Sequence, residues 1–254
     1  GEVLVVGGGP YTGAPALSAQ AALRAGADLA RVACPRTVAD EVQGYSESLI
    51  VRPFDGDRLE PRHIDDLLAR AAGQDTVVLG PGLGADERTL DAVADFLSAF
   101  EGTAVVDADA LGVVPEVETE ATLLCTPHQG ELVGMGGPQS DDWRERRDLV
   151  AEFAAEIGHT LLVKGHYDIV SDGEQTRVSR TGNPGMTVGG TGDVLSGVTG
   201  ALAAVLSPIH AAGVGAYVTG RAGDIAAGSR GDGLLATDLL ETLPDATRDA
   251  EGDR

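Results

Sequence analysis

The sequence is almost without lysine. Of its 18 basic residues all but Lys164 are arginine, against 40 acidic ones, and the formal net charge is -22. A chain this acidic repels DNA, RNA and anionic lipid, which argues against nucleic acid or a membrane surface as partner. Long hydrophobic runs are missing as well: none reaches the roughly 18 residues of a membrane-spanning helix. No basic start leads into an apolar core and a cleavage site, so no export signal is visible. Cysteine occurs only at Cys34 and Cys125, far apart and each in or beside an apolar run. That predicts buried free thiols and a reducing, cytoplasmic setting. The absence of CxxC pairs, Cys/His clusters and HExxH spacing argues against structural zinc.

What is present is a globular composition. Hydrophobic residues make up 43% of the chain and the acidic residues are dispersed, unlike a disordered acidic segment. A dispersed acidic surface with one lysine reads as halophilic, adapted to a salt-rich cytoplasm where ions screen self-repulsion. The 254 residues suit one α/β domain, 1–254. Gly1 stands two residues before the apolar run Val3-Leu4-Val5-Val6, so an N-terminal part, a leader or a whole domain, is expected to precede it.

Short apolar runs predict strands at 3–6, 29–33, 48–51, 76–79, 104–106, 122–124 and 161–163. Helical patterns lie at 14–24, 64–72, 87–99 and 149–157. Continuous apolar strands alternating with helices indicate a mostly parallel sheet covered on both faces. Residues 167–171 and 175–179 flank Asp172-Gly173-Glu174 as a hairpin. From 193 to 243 the chain reads as helical and rich in Ala and Gly, and the tail 245–254 is expected to fray.

Chemistry concentrates after the strands. Gly7-Gly8-Gly9-Pro10-Tyr11-Thr12-Gly13 imitates a dinucleotide loop, but its last glycine arrives one residue late and no acidic residue closes the next strand. Its glycines still admit a ligand to the backbone, and Ala14 opens a helix whose first amides can face an anion. Leu79-Gly80-Pro81-Gly82-Leu83-Gly84 is a tight loop at a sheet edge. Asp107 and Asp109 suit either water-mediated Mg²⁺ or helix capping, with the cap favoured for Asp109. Thr126-Pro127-His128-Gln129-Gly130-Glu131 sets a histidine where strand gives way to helix, as ligand or cap. Lys164-Gly165 ends another strand with an ammonium suited to phosphate.

The strongest signal is Gly182-Asn183-Pro184-Gly185-Met186-Thr187-Val188-Gly189-Gly190-Thr191-Gly192-Asp193. Gly189, Gly190, Thr191 and Gly192 expose amides at a helix start, an anion hole without a Walker lysine. Asp193 lies in the first turn, where the helix dipole is expected to keep it ionised and where it could face a substrate hydroxyl.

Gly189 to Asp193 resembles the anion hole and catalytic base of ribokinase-like enzymes. The longer string from Asn183 to Gly197, with Tyr11 to Pro15, Gly80 to Gly84, Thr126 to Glu131 and Lys164-Gly165, resembles the ADP/ATP-dependent NAD(P)H-hydrate dehydratase family. The resemblance implies a ribokinase-like three-layer α/β/α fold with a mostly parallel central sheet. It implies ADP as phosphoryl donor, Mg²⁺ with ligands unassigned, and NADHX or NADPHX as substrate. It assigns Asp193 as catalytic base, and Ala14, Gly82, Gly84, His128 and Asp193 to the hydrate. Lys164, Gly165, His166, Tyr167, Asp168 and Gly192 fall to the nucleotide. His166-Tyr167-Asp168 departs from the family's smaller, less charged segment. The resemblance also implies a homo-oligomer and, in many microbes, a fused epimerase domain. Three other readings compete: a vitamin-precursor alcohol kinase on the same fold, a flavin or nicotinamide oxidoreductase, and a non-catalytic nucleotide sensor.

Overall fold

In the computed structural model the backbone is described for residues 1–251 and side chains through Arg248. Among the described residues nine strands form one sheet: β1 Glu2–Val6, β2 Leu29–Ala33, β3 Ile50–Val51, β4 Thr76–Leu79, β5 Thr103–Val106, β6 Thr122–Cys125, β7 Thr160–Val163, β8 Asp168–Ser171 and β9 Thr176–Ser179. The helices are α1 Gly13–Arg24, α2 Ala39–Gly44, α3 Ile64–Ala71, α4 Glu87–Ala99, α5 Gln129–Gly134, α6 Trp143–Ile157, α7 Thr191–Ala203, α8 Pro208–Arg230 and α9 Ala236–Glu251. Strand order is β3-β2-β1-β4-β5-β6-β7-β8-β9. Every pair from β3 to β7 is parallel, and β8 and β9 close the edge antiparallel.

Alternation along each strand builds the layers, because successive side chains leave opposite faces. Leu4 and Val6 of β1 join Leu67, Phe96 and Phe153 under α3, α4 and α6. Val3 and Val5 point the other way, to Ala19, Leu195 and Ala212 of α1, α7 and α8. A third cluster, with Val198, Val218 and Leu239, packs α7 and α8 against α9. The expected three-layer α/β/α arrangement is therefore observed. No helix among the described residues is long and apolar enough to cross a membrane.

Several boundaries differ from the sequence reading. The helix expected at 149–157 starts at Trp143, capped by Asp142, whose carboxylate accepts from the Arg144 amide; a charged opening hid its first two turns. The short helices α2 and α5 carry too few apolar positions to show a period. The expected strand 48–51 is ordered as strand only at Ile50–Val51. The tail expected to fray continues α9 to Glu251, and its last three residues lie outside the described ones.

The sheet order also places the ligand crevice. The chain leaves β1 toward β2 on one side and returns to β4 on the other, so the loops after β1 and β4 part at the carboxyl edge. Open α/β sheets bind ligands at such switch points. The first six strands share the dinucleotide-fold order, but fold alone does not assign function, and the glycine fingerprint is absent.

Candidate active site

The loops after β1 and β4 interlock. The Gly8 amide donates to the Pro81 carbonyl at 2.9 Å. At Gly82, φ is +74°, and a Cβ would lie 2.3 Å from the Tyr11 carbonyl and 3.2 Å from the Ala14 Cβ. Only glycine suits that backbone and that gap. Two residues assigned to the hydrate, Ala14 and Gly82, are thus neighbours. Gly84, also buried, donates its amide to Asp109 Oδ2 at 3.0 Å. Asp109 therefore ties the β4 loop and does not cap the 3-10 turn Ala108–Glu116, whose N-cap position is Asp107 and carries no side-chain cap bond.

Asp107 closes β5 and is 3% exposed at its side chain. Its Oδ1 accepts from Thr126 Oγ1 at 2.8 Å and lies 3.0 Å from Lys164 Nζ. Glu131 Oε2 stands 3.5 Å from the same ammonium. Burial works against the Lys164 charge, but Asp107 and Glu131 outweigh it and hold its pKa above the ordinary lysine value. The lone lysine is thus locked in the site, where its ammonium would touch a Cβ on Gly192 at 3.3 Å.

His128 is the N-cap of α5. Its Nδ1 accepts the Glu131 amide at 3.1 Å, and Glu131 Oε2 accepts the His128 amide at 2.6 Å. This reciprocal capping box leaves the imidazole largely exposed with Nε2 3.5 Å from Glu131 Oε1. A parallel bridge between His128 and Lys164 fixes the two loops side by side.

Gly190, at φ +97°, is the N-cap of α7 and gives it no side-chain cap. The helix ladder begins with the Val194 amide on the Gly190 carbonyl at 3.0 Å. The preceding first-turn amides stand outside that ladder, as helix starts allow. The Thr191 hydroxyl is not part of that hole: it donates to the Met186 and Val188 carbonyls at 2.8 and 3.1 Å, so Thr191 offers only its amide. The Asn183 to Met186 string is the bracket behind the loop. Asn183 Nδ2 donates to Asp224 Oδ1 at 3.1 Å, and Met186 Sδ fills the space where a Cβ on Gly223 would be, 2.1 Å away.

Asp193 stands in this first turn, and no ion pair or hydrogen bond of the described residues holds its carboxyl. Burial and, after it, the charge of Asp107 push its pKa up to about 7, with Lys164 pulling the other way. The expectation that the dipole keeps it ionised is therefore corrected: burial in the site and the neighbouring Asp107 charge raise its pKa to about 7.

The lysine loop turns on itself. The Gly165 amide donates to Asp168 Oδ1 at 2.9 Å, and burial raises the Asp168 pKa to about 6. His166 is exposed and Tyr167 half-buried. The structure thus gathers Lys164, Gly192, Asp193 and His128 at one carboxyl edge with Asp107 and Glu131. Gly189 lies open, with nothing near its missing Cβ. The sequence offered Asp107 as a carboxylate for Mg²⁺ or a helix cap and quoted Glu131 within a motif without a part; neither reading included an ion pair with Lys164. Their shared partner Lys164 was not readable from spacing, because strand order alone makes them neighbours. Cys34 and Cys125 are free and buried, as expected.

A family model described as NAD(P)H-hydrate dehydratase matches residues 3–245. A bifunctional NAD(P)H-hydrate repair enzyme of Pyrobaculum aerophilum is 44% identical over 255 residues, covering 98% of this chain and 50% of that protein. One of Methanospirillum hungatei is 42% identical, covering 96% of this chain and 48% of that protein. The chain spans about half the length of these curated relatives. Among solved structures, the ADP/ATP-dependent NAD(P)H-hydrate dehydratase of Bacillus subtilis, co-crystallised with ATP/Mg²⁺ and soaked with CoA, superposes with TM-score 0.81 at 24% identity, covering 96% of this chain and 90% of that one. A ribokinase-like superfamily protein of Enterococcus faecalis gives 0.83 at 23%, covering 98% and 87%. These likenesses show the ribokinase-like fold.

Proposed function

The chain belongs to the NAD(P)H-hydrate dehydratase family, and from that premise we propose that it dehydrates NADHX or NADPHX to NADH or NADPH with ADP as phosphoryl donor. The observation that carries the reading is the unpaired Asp193 carboxyl beside uncapped α7 amides and the Lys164 ammonium. A carboxylate next to an anion hole repels the anion; it earns its place by taking a proton from an attacking alcohol.

Hydroxide leaves the reduced ring slowly, so the ring hydroxyl is first converted to a phosphate ester. Asp193 accepts the hydroxyl proton as the oxygen attacks the β-phosphorus of ADP, and the bond to AMP breaks. The amides of Gly190, Thr191 and Gly192, with Lys164, hold the transferring phosphoryl. Donors of this kind are worth on the order of 10²–10³ in rate. The ring nitrogen then expels phosphate, and loss of a proton from the neighbouring carbon restores the dihydronicotinamide. The products are NAD(P)H, AMP and phosphate.

Ala14, Gly82, Gly84 and His128 would line the hydrate, and Lys164 to Asp168 with Gly192 the nucleotide. Mg²⁺ is held by oxygen donors, commonly one or two carboxylates with substrate phosphates and water. Among the described residues no cluster of three or more His, Cys, Asp or Glu side chains could hold the ion, and Asp107 and Glu131 are engaged with Lys164; Mg²⁺ would come with the nucleotide phosphates and water, and would neutralise phosphate charge. A cytoplasmic, salt-adapted homo-oligomer is part of the same proposal; the dispersed acidic surface supports the salt adaptation.

The test is product analysis at high salt with NADHX, NADPHX and ADP. Recovery of reduced-nicotinamide absorbance with AMP and phosphate in equal amounts is expected. A stable phosphorylated alcohol from a vitamin precursor, with no hydrate repaired, would replace the dehydratase reading with the kinase one.

A further inference from the structure

The chain's one tryptophan lies beside the lysine loop. Trp143 opens α6, and its ring meets that of Tyr167 edge-on, with centroids 5.3 Å apart. Arg180, just past β9, holds its guanidinium 5.6 Å from both ring centroids. His166 packs on Tyr167 at 4.5 Å. Sheet register explains the meeting. Val178 pairs with Ile169, whose side chain lies in the core under α3, α4 and α6. Arg180 is two residues on and leaves the same face, toward α6.

Anchoring α6 does not require this cluster. Arg146 already reaches from α6 to the turn, its guanidinium donating to the Tyr167 carbonyl at 3.4 Å. Arg180 is left exposed over two aromatic rings, in a chain whose charge is overwhelmingly negative. Guanidinium and aromatic planes are surfaces on which a planar, electron-rich heterocycle stacks. Tyr167 follows Lys164 by three positions, at most about 10 Å of chain. That is within the reach of a nucleoside whose phosphates lie at Lys164 and the start of α7.

We propose that Trp143, Tyr167 and Arg180 form a base-stacking platform that gives the nucleotide site its preference for a purine. The inference rests on the reading of Lys164 to Asp168 as the nucleotide site. Tyr167 presents the surface, and Trp143 and Arg180 fix its orientation.

The single tryptophan makes the test direct. Titration with ADP is expected to change Trp143 emission saturably, inorganic phosphate to leave it unchanged, and CDP to bind more weakly than ADP. Tyr167→Ala should weaken ADP binding roughly tenfold and Arg180→Gln several-fold, with the loss in the KM for ADP and not in that for the hydrate. Tyr167→Phe keeps the ring and should restore affinity, which separates stacking from misfolding. ADP that saturates the protein by calorimetry without moving the emission overturns the proposal, as does Tyr167→Ala binding ADP within about twofold of the parent. ADP binding with the Trp143 response but no hydrate turnover would sink the dehydratase reading alone. Hydrate turnover with an unaltered KM for ADP in Tyr167→Ala would sink this platform alone.

Discussion

The ammonium of Lys164 and the carboxylate of Asp107 stand 3.0 Å apart beside the first turn of α7, and together they tune Asp193 in opposite directions. A base must be deprotonated to act, so kcat/KM should rise with pH through about 7, the pKa to which burial and Asp107 push Asp193. Lys164→Met removes the cation that lowers this pKa, and the rising limb should move to higher pH. Asp107→Asn removes the carboxylate that raises it, and the limb should move to lower pH. Profiles over roughly pH 5 to 9 check this; two shifts of the same sign would refute the arrangement.

Asp193→Asn should cut turnover by about 10²–10⁴ while stabilising the fold. The carboxyl has a pKa near 3.8 in the unfolded chain and about 7 in the folded one. At low pH both states hold the proton and the residue makes no difference. As pH rises through this window the unfolded chain releases a proton that the folded one retains, so native stability falls. The penalty is complete above about 7. Three units would cost about 4 kcal/mol, and partial exposure reduces that to about 1–3 kcal/mol. Urea melts should therefore show the variant more stable than the parent at alkaline pH and equal to it in acid.

The two cysteines should be inert in the native protein. Burial pushes Cys34 up to about 11 and Cys125, with Asp107 adding to it, to about 12. Thiolate is the reactive form, so at neutral pH almost none is present, and solvent reaches neither side chain. A disulfide-exchange reagent should label both only after unfolding; rapid stoichiometric labelling of the folded chain would contradict the buried assignment.

Local patterns revealed much of this fold and less of its site. Apolar runs such as Thr76–Leu79 identified buried strands because strands covered on both faces need continuous hydrophobic residues. The glycine-rich start of α7 was legible because helix starts leave amides free whatever surrounds them. The contacts of Lys164 with Asp107 and Glu131 were not, since they join residues just after β5 and β7 to the helix that follows β6, made adjacent by the order β5-β6-β7. The Asp193 pKa was misjudged for the same reason: the dipole belongs to its own helix, but desolvation and the Asp107 charge come from elsewhere. Trp143 and Arg180 gave no signal, because a lone aromatic and a lone arginine have no period.

Gly190 and Gly189 should differ in their tolerance of alanine although they adjoin in one glycine pair. Gly190 sits at φ +97°, and a Cβ there would meet Leu17 Cδ1 at 2.8 Å and Ala236 Cβ at 2.9 Å. Gly190→Ala therefore strains the backbone and pushes α1 and α9 away from the start of α7. It should cost about 1–3 kcal/mol and disorganise the amides proposed to hold phosphate, so the KM for ADP is expected to rise with the loss of stability. At Gly189 nothing lies within reach of a Cβ and φ is not in the left-handed region. Gly189→Ala should fold within about 0.5 kcal/mol of the parent. If it still weakens ADP binding, the methyl group stands in the path of the ligand itself, and Gly189 belongs to the anion hole. Unaltered ADP binding would confine the hole to the amides from Gly190 onward.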